Sequence, residues 1–373
     1  MKRLSAPKND FGYDAVRIFA MFSVIALHFF LYSGFYYLKP DGMSSIVHTT
    51  IRTLFYQCVP TFVILTGALK RNATFNQKHY IKLIPIIINS LIIAAVVICY
   101  KVFFLKQDYP MLLWLKTVWT FTQPDYGWYI NMYISLFLLI PLINAAYHSL
   151  STQKQKLIAV IICVFVTTFA SSINKIRLSN GIFTGIEFVP NYFSGMWPLA
   201  YYTVGLYIGE FRPKVKKSIC ALVLLALLIA QAVINYSTST DNFYTGINFE
   251  NMDIVNVITA STLFLLLYDV KIKNIPVRWA AAKISSLSVT FYLLSWIGDN
   301  WFYTKYASQF KGFDNLPQMF FKIIPLHFII CLAASFILNF IIKFISGLIT
   351  KPLFKLCDKK EKSELKEEPA LIK

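Results

Sequence analysis

The sequence predicts an all-α integral membrane protein, a bundle of about ten transmembrane helices with both termini in the cytoplasm. Three observations carry that expectation. Hydrophobic residues make up 57% of the chain and charged residues 14%, with a mean hydropathy of +0.56, whereas a typical soluble domain is about 25% charged. Apolar runs of the roughly 17–25 residues needed to cross a bilayer recur from end to end. The cations fall in alternate loops between those runs.

Taken in order, the runs cover about 14–37, 46–69, 80–104, 127–147, 157–173, 193–211, 216–235, 253–270, 283–305 and 319–349. The sixth is interrupted by Gly195, Pro198, Gly205 and Gly209, and such breaks are tolerated only where protein or water satisfies the backbone. Lys2, Arg3 and Lys8 precede the first run, and Lys70, Arg71, Lys78 and Lys82 follow the second. Lys154 and Lys156, then Arg212, Lys214, Lys216 and Lys217, then Lys271, Lys273, Arg278 and Lys283 continue the series. The alternate loops are mixed or acidic, with Asp41, Asp108, Asp125, Glu187, Asp241, Glu250 and Asp314. This is the positive-inside pattern, and an even helix count follows independently from both ends lying on one side. The net charge of +18 is thus spent on orientation, and no nucleic-acid partner is expected. Residues 1–356 read as the membrane domain and 357–373 as a charged, disordered cytoplasmic tail.

The aromatic share of 17% is concentrated at run ends, among them Tyr36, Tyr37, Trp114, Trp119, Trp128, Tyr129, Trp301 and Tyr303, as in an interfacial belt. The six cysteines lack paired spacing and read as small core residues, with no disulfide and no metal site. The first run holds Arg17 and His28 and has no small-residue cleavage site, so it reads as a retained helix. No internal repeat, Gly-rich phosphate loop or appended globular domain is evident.

Ionisable groups inside the spans are expensive to keep and point to function. Asp14, Arg17 and His28 share the first run. Arg17 and His28 are eleven residues apart, three helical turns plus roughly 20°, so they project from one face about 16 Å apart along the axis. With the N-terminus inside, Arg17 lies at the cytoplasmic interface and His28 near mid-membrane. Taken singly, Arg17 would also suit a residue snorkelling to lipid phosphate while paired with Asp14, and His28 a packing hydrogen bond between helices. Asp299 and His327 lie at similar depth toward the outer ends of two antiparallel runs and fit either a carboxylate–imidazole pair on the acceptor side or a structural pair. Glu187 with Tyr192, Trp197, Tyr201 and Tyr202 offers a sugar-binding surface or, equally, belt residues.

Asp14, Arg17 and His28, in the spacing Asp-x-x-Arg-x(10)-His, resemble the opening of the acyltransferase-3 family of membrane O-acyltransferases, which acylate cell-surface glycans. Val59, Pro60, Thr61 and Phe62 followed by Leu65, Thr66 and Gly67 resemble its second helix. Lys78 and Lys82 before Pro85, the Gly127, Trp128 and Tyr129 opening of the fourth run, and Ser286 to Leu294 are similar to further family segments. The sequence departs from the pattern at Thr66, where Ser is usual, at Lys82, where Arg is common, and at Ser295, where many members carry His.

The resemblance implies acetyl-CoA or another acyl-CoA as co-substrate, no tightly bound cofactor, and a glycan or lipid-linked glycan acceptor, in a bacterial inner membrane. Arg17, Arg71, Lys78 and Lys82, at the expected inner ends of the first three runs, would then hold the donor's anionic part. His28 would be the catalytic residue, as general base or acyl carrier. Asp14 would support Arg17, and Trp128, Asp299 and His327 would lie toward the acceptor. Thr66, Trp128 or Tyr292 would offer an oxyanion donor. The alternative reading is a transporter or flippase of a glycan or lipid-linked sugar, since mid-membrane polar groups and broken helices suit that class too.

Overall fold

The computed structural model describes residues 11–121, 125–175, 189–243, 250–306 and 312–367, and all the regular structure among them is helical. In chain order the α-helices are α1 (Phe11–Tyr32), α2 (Gly42–Tyr56), α3 (Cys58–Lys70), α4 (Gln77–Ile81), α5 (Ile84–Phe103), α6 (Met111–Trp119) and α7 (Trp128–Ser149). They continue as α8 (Gln153–Lys175), α9 (Trp197–Phe211), α10 (Lys217–Thr238), α11 (Ile254–Leu267), α12 (Ile275–Ser285), α13 (Ser288–Tyr306) and α14 (Leu316–Glu367).

Among the described residues, five helical segments are long and apolar enough to cross a membrane: Phe11–Tyr32, Gln77–Phe103, Trp128–Ser149, Lys217–Thr238 and Leu316–Lys359. A sixth is added if α12 and α13, bent by 65° at their junction, count as one span. Of the other expected runs, that over 157–173 is an unbroken helix, α8, and the rest are helical but shorter or broken. The run expected over 46–69 is interrupted at Gln57, which separates α2 from α3. Pro60 lacks the N–H that would reach the Tyr56 carbonyl, and Cys58 Sγ lies 3.9 Å from that carbonyl. The Gln57 side-chain amide donates to the Thr53 carbonyl (3.2 Å) and to Asn256 Oδ1 (2.9 Å). At the other end, α14 stays helical as far as Glu367, so the boundary expected at 357 is no break in the helix.

The chain forms two compact units. The first comprises the chain up to Asn72 with Tyr147–Ser288 and Gly298–Ile330; the second comprises Ala73–Ala146, Val289–Ile297 and the chain from Cys331. In the first unit α1 packs against α2, α3, α11 and α12. Helices α3 and α9 cross backbone to backbone. A Cβ on Gly205 would lie 2.0 Å from the Ile64 carbonyl oxygen, and one on Gly67 would lie 2.1 Å from that of Tyr202. One of the glycines that interrupted the sixth run is therefore its packing contact, the small-residue solution to helix association in lipid.

The second unit is tied by buried polar links between its helices. His79 stacks on Phe137 with ring centroids 4.2 Å apart, Asn89 donates to Thr290 Oγ1 (2.9 Å), and Tyr292 Oη donates to the Tyr126 carbonyl (2.8 Å).

Candidate functional site

The site is built inside the first unit from the C-terminal half of α1, the C-terminal half of α13 and the first turns of α14. Helix α1 is largely apolar and buries Val24, Ile25 and Phe29 beside His28. That packing fixes the ring's azimuth. Asp299 and His327 are fully buried, whereas the His28 side chain keeps 15% exposure.

His28 Nδ1 lies 2.7 Å from Asp299 Oδ2. A carboxylate only accepts, so Nδ1 carries the hydrogen and the lone pair of the neutral ring is on Nε2. His327 Nδ1 faces the other oxygen, Asp299 Oδ1, at 3.5 Å, and lies 3.2 Å from Tyr303 Oη. The Tyr303 hydroxyl donates to the Ile25 carbonyl (2.9 Å), one turn before His28, so its oxygen is left to accept from His327. The His327 ring also stacks on Phe302 (centroids 5.1 Å apart). Its Nε2 has no hydrogen-bond partner among the described residues. It rests on Gly298, where an added Cβ would lie 2.1 Å away.

The arrangement is one buried carboxylate hydrogen-bonded to the His28 imidazole, with the His327 imidazole 3.5 Å from its other oxygen. Its chemistry is asymmetric. His327 is sealed, with Nδ1 committed as a donor, whereas the partly open His28 presents a lone pair oriented by the carboxylate. Such a ring can take a proton from a hydroxyl and return it to a leaving group.

Three helical turns back along α1, Arg17 Nη1 is 3.8 Å from Asp14 Oδ1 and 3.5 Å from Ser285 Oγ. The Ser285 hydroxyl donates to the same Asp14 oxygen. Arg17 is partly exposed, so the Asp14 contact at Nη1 orients the guanidinium without covering it.

The other candidates have surroundings of their own. Arg71 is buried and donates to the Ala68 carbonyl (2.6 Å), at the end of its own helix. Lys78 pairs with Asp358 at 2.7 Å, Lys82 is exposed, and Trp128 is exposed. The Thr66 and Tyr292 hydroxyls donate to the carbonyls of Phe62 and Tyr126, which leaves neither hydrogen for an oxyanion. Trp197, Tyr201 and Tyr202 are buried core residues and only Tyr192 is on the surface, so that aromatic set is not a sugar platform. Glu187 lies outside the described residues.

Sequence reading paired Asp299 with His327 and placed His28 elsewhere. The carboxylate in fact hydrogen-bonds His28 and lies beside His327 as well. Ser285 and Gly298 were not singled out and Tyr303 was read only as a belt residue, although a Gly-Asp pair within an aromatic helix, with Tyr one turn on, was the available signal.

Neither the curated proteins nor the solved structures searched give a match to this chain. The model of the acyltransferase-3 family, an acyltransferase domain, matches residues 10–344, which takes in α1 with Asp14, Arg17 and His28 as well as Asp299 and His327. A match over nearly the whole chain, on helices that include an oriented imidazole and a single guanidinium on one face of α1, places this protein in the acyltransferase-3 family of membrane acyltransferases.

Proposed function

We propose that this membrane acyltransferase moves an acetyl group from cytoplasmic acetyl-CoA to a hydroxyl of an envelope polysaccharide or its lipid-linked precursor. The observation that carries the reading is the 2.7 Å contact between His28 and Asp299. It orients a partly open imidazole with its basic nitrogen away from the carboxylate. The ten apolar runs and the alternation of loop cations support ten crossings of an inner membrane with both termini cytoplasmic. On that topology Arg17 is at the cytoplasmic end of α1, where a polyanionic donor is found, and His28 is deeper.

In this mechanism Arg17, steadied by Asp14 and Ser285, takes a donor phosphate. His28 Nε2 accepts the proton of the acceptor hydroxyl as its oxygen bonds to the thioester carbonyl carbon. Collapse of the tetrahedral adduct breaks the carbon–sulfur bond, and the departing thiolate takes the proton from Nε2. The imidazolium formed between these steps is stabilised by the Asp299 carboxylate beside Nδ1.

The test uses membranes carrying the protein or lacking it, supplied with radiolabelled acetyl-CoA and the native envelope glycan. Base-labile label in the glycan only where the protein is present supports transfer. Glycan that crosses the membrane unlabelled would replace the enzyme with a transporter.

A further inference from the structure

The 104–127 segment of the second unit contains α6, which no run of the hydropathy pattern included and which the acyl-transfer reading does not use. Its nine residues, Met111–Trp119, span about 14 Å, less than half of the roughly 30 Å hydrocarbon thickness. Left-handed residues, Lys106 (φ 55°) and Phe121 (φ 56°), turn the chain on either side of it.

The sidedness of α6 is the reverse of a soluble helix. At 100° per residue Met111, Leu112, Leu115, Val118 and Trp119 fill one arc of about 120°. All five are exposed, Leu112 at 78% and Trp119 at 86%. The opposite side carries the fixed contacts. Thr117 is buried, its hydroxyl 3.2 Å from Tyr109 Oη, and Trp114 packs edge-on against Tyr109 (5.5 Å). So the polar residue faces the protein and the apolar arc faces away, with Lys116 at its margin.

A hollow of about 700 Å³ runs along this face, lined by Leu112, Leu115, Lys116, Val118, Trp119 and Phe121. The surface is continuous in kind with the membrane-crossing helices on either side, where Phe103 and Phe104 at the end of α5 and Leu138, Leu139 and Leu142 on α7 are also exposed. A short helix joining two spans, apolar outward and basic at its edge, has the properties of an in-plane interfacial helix.

We infer that α6 lies in one leaflet as a lipid-binding helix, its five-residue face among acyl chains and Lys116 level with the headgroup phosphates. Aromatic Trp119 at the end of the arc suits the water–lipid boundary. The bilayer is the occupant that this surface fits, because the flanking spans hold the helix at the membrane edge.

The experiment places the full chain in vesicles of phosphatidylcholine and phosphatidylglycerol, with or without bromine on the acyl chains. The fluorescence of the wild type minus that of Trp119→Phe isolates Trp119. A Leu115→Trp substitution in the Trp119→Phe background reports the position one turn away, and circular dichroism checks helicity. Both signals are expected to lose most of their intensity to brominated lipid and little to aqueous iodide. Quenching by iodide alone would overturn the inference, showing a face turned to water. Quenching by neither would overturn it as well, showing a face covered by a second copy or another protein.

Discussion

Replacing Gly298 by Ala tests the site without altering any group that titrates or touches substrate. The new Cβ would lie 2.1 Å from His327 Nε2, 2.6 Å from Cδ2 and 3.1 Å from Cε1. Ordinary contact for such atoms is about 3.5 Å, so the ring must retreat by 1 Å or more. It has no room behind it, being fully buried and stacked on Phe302. The Nδ1 contacts of 3.2 Å to Tyr303 and 3.5 Å to Asp299 are already at the limit of a hydrogen bond and would break. Overpacking of this kind costs about 1–3 kcal/mol, and a buried group deprived of a partner about 1–3 kcal/mol. The expected loss of stability is about 2–6 kcal/mol when both act. If half of that is felt as misorientation of Asp299, kcat falls about 5–150-fold. The assay is thermal unfolding in detergent together with acetyl transfer at saturating donor. Gly347→Ala is the matched control, since its Cβ meets only Lys351 Cε at 3.7 Å; it should leave kcat unchanged and stability equal or raised by about 0.5–1 kcal/mol. Combined with His327→Asn, Gly298→Ala should add little, because both act on one ring. A Gly298→Ala protein as stable and as active as Gly347→Ala would refute the placement of His327.

Other outcomes follow from the same geometry. Asp299→Asn keeps the shape but loses the charge beside His28, and is expected to lower kcat about 10²–10⁴-fold, seen in transfer rates at matched protein levels. Arg17→Ala is expected to raise the KM for acetyl-CoA about 10–100-fold with little change for the acceptor, the worth of one charge-assisted contact. Arg71→Ala is expected to lower the melting temperature and leave the donor KM alone, because its guanidinium serves the Ala68 carbonyl. Gly205→Leu drives a side chain into the Ile64 carbonyl oxygen and is expected to destabilise by 3 kcal/mol or more, about the upper range of overpacking, read by thermal unfolding.

Much of the architecture could be read from composition. Hydropathy located the helices because a bilayer forces apolar runs, and the Asp14, Arg17 and His28 spacing put charge and imidazole on one face of α1 by helix geometry alone. Long-range partnership was less legible. His28 and Asp299 are 271 positions apart, and depth along the axis did not distinguish which of two histidines the carboxylate would meet; it meets both. The break at Gln57 escaped notice because an apolar window averages over one Gln and one Pro. Helix α6 escaped because nine residues fall short of any spanning window, although the Met111–Trp119 arc was readable by angle. The glycines of α9, read as weakness, mark the closest approach of two helices. Arg71 and Lys78 show the opposite error. Their charge was legible, but the Ala68 carbonyl and Asp358 that engage them were not.

The most direct test of the account is acetyl transfer by purified protein in lipid nanodiscs, from radiolabelled acetyl-CoA to the native glycan, with wild type and His28→Ala compared at equal amount and equal helicity. The account predicts label in the glycan for the wild type and a loss of about 10²–10⁴-fold for the variant, with donor binding retained through Arg17. Equal transfer by the two proteins would contradict it, and would make the His28–Asp299 contact a packing bond between helices.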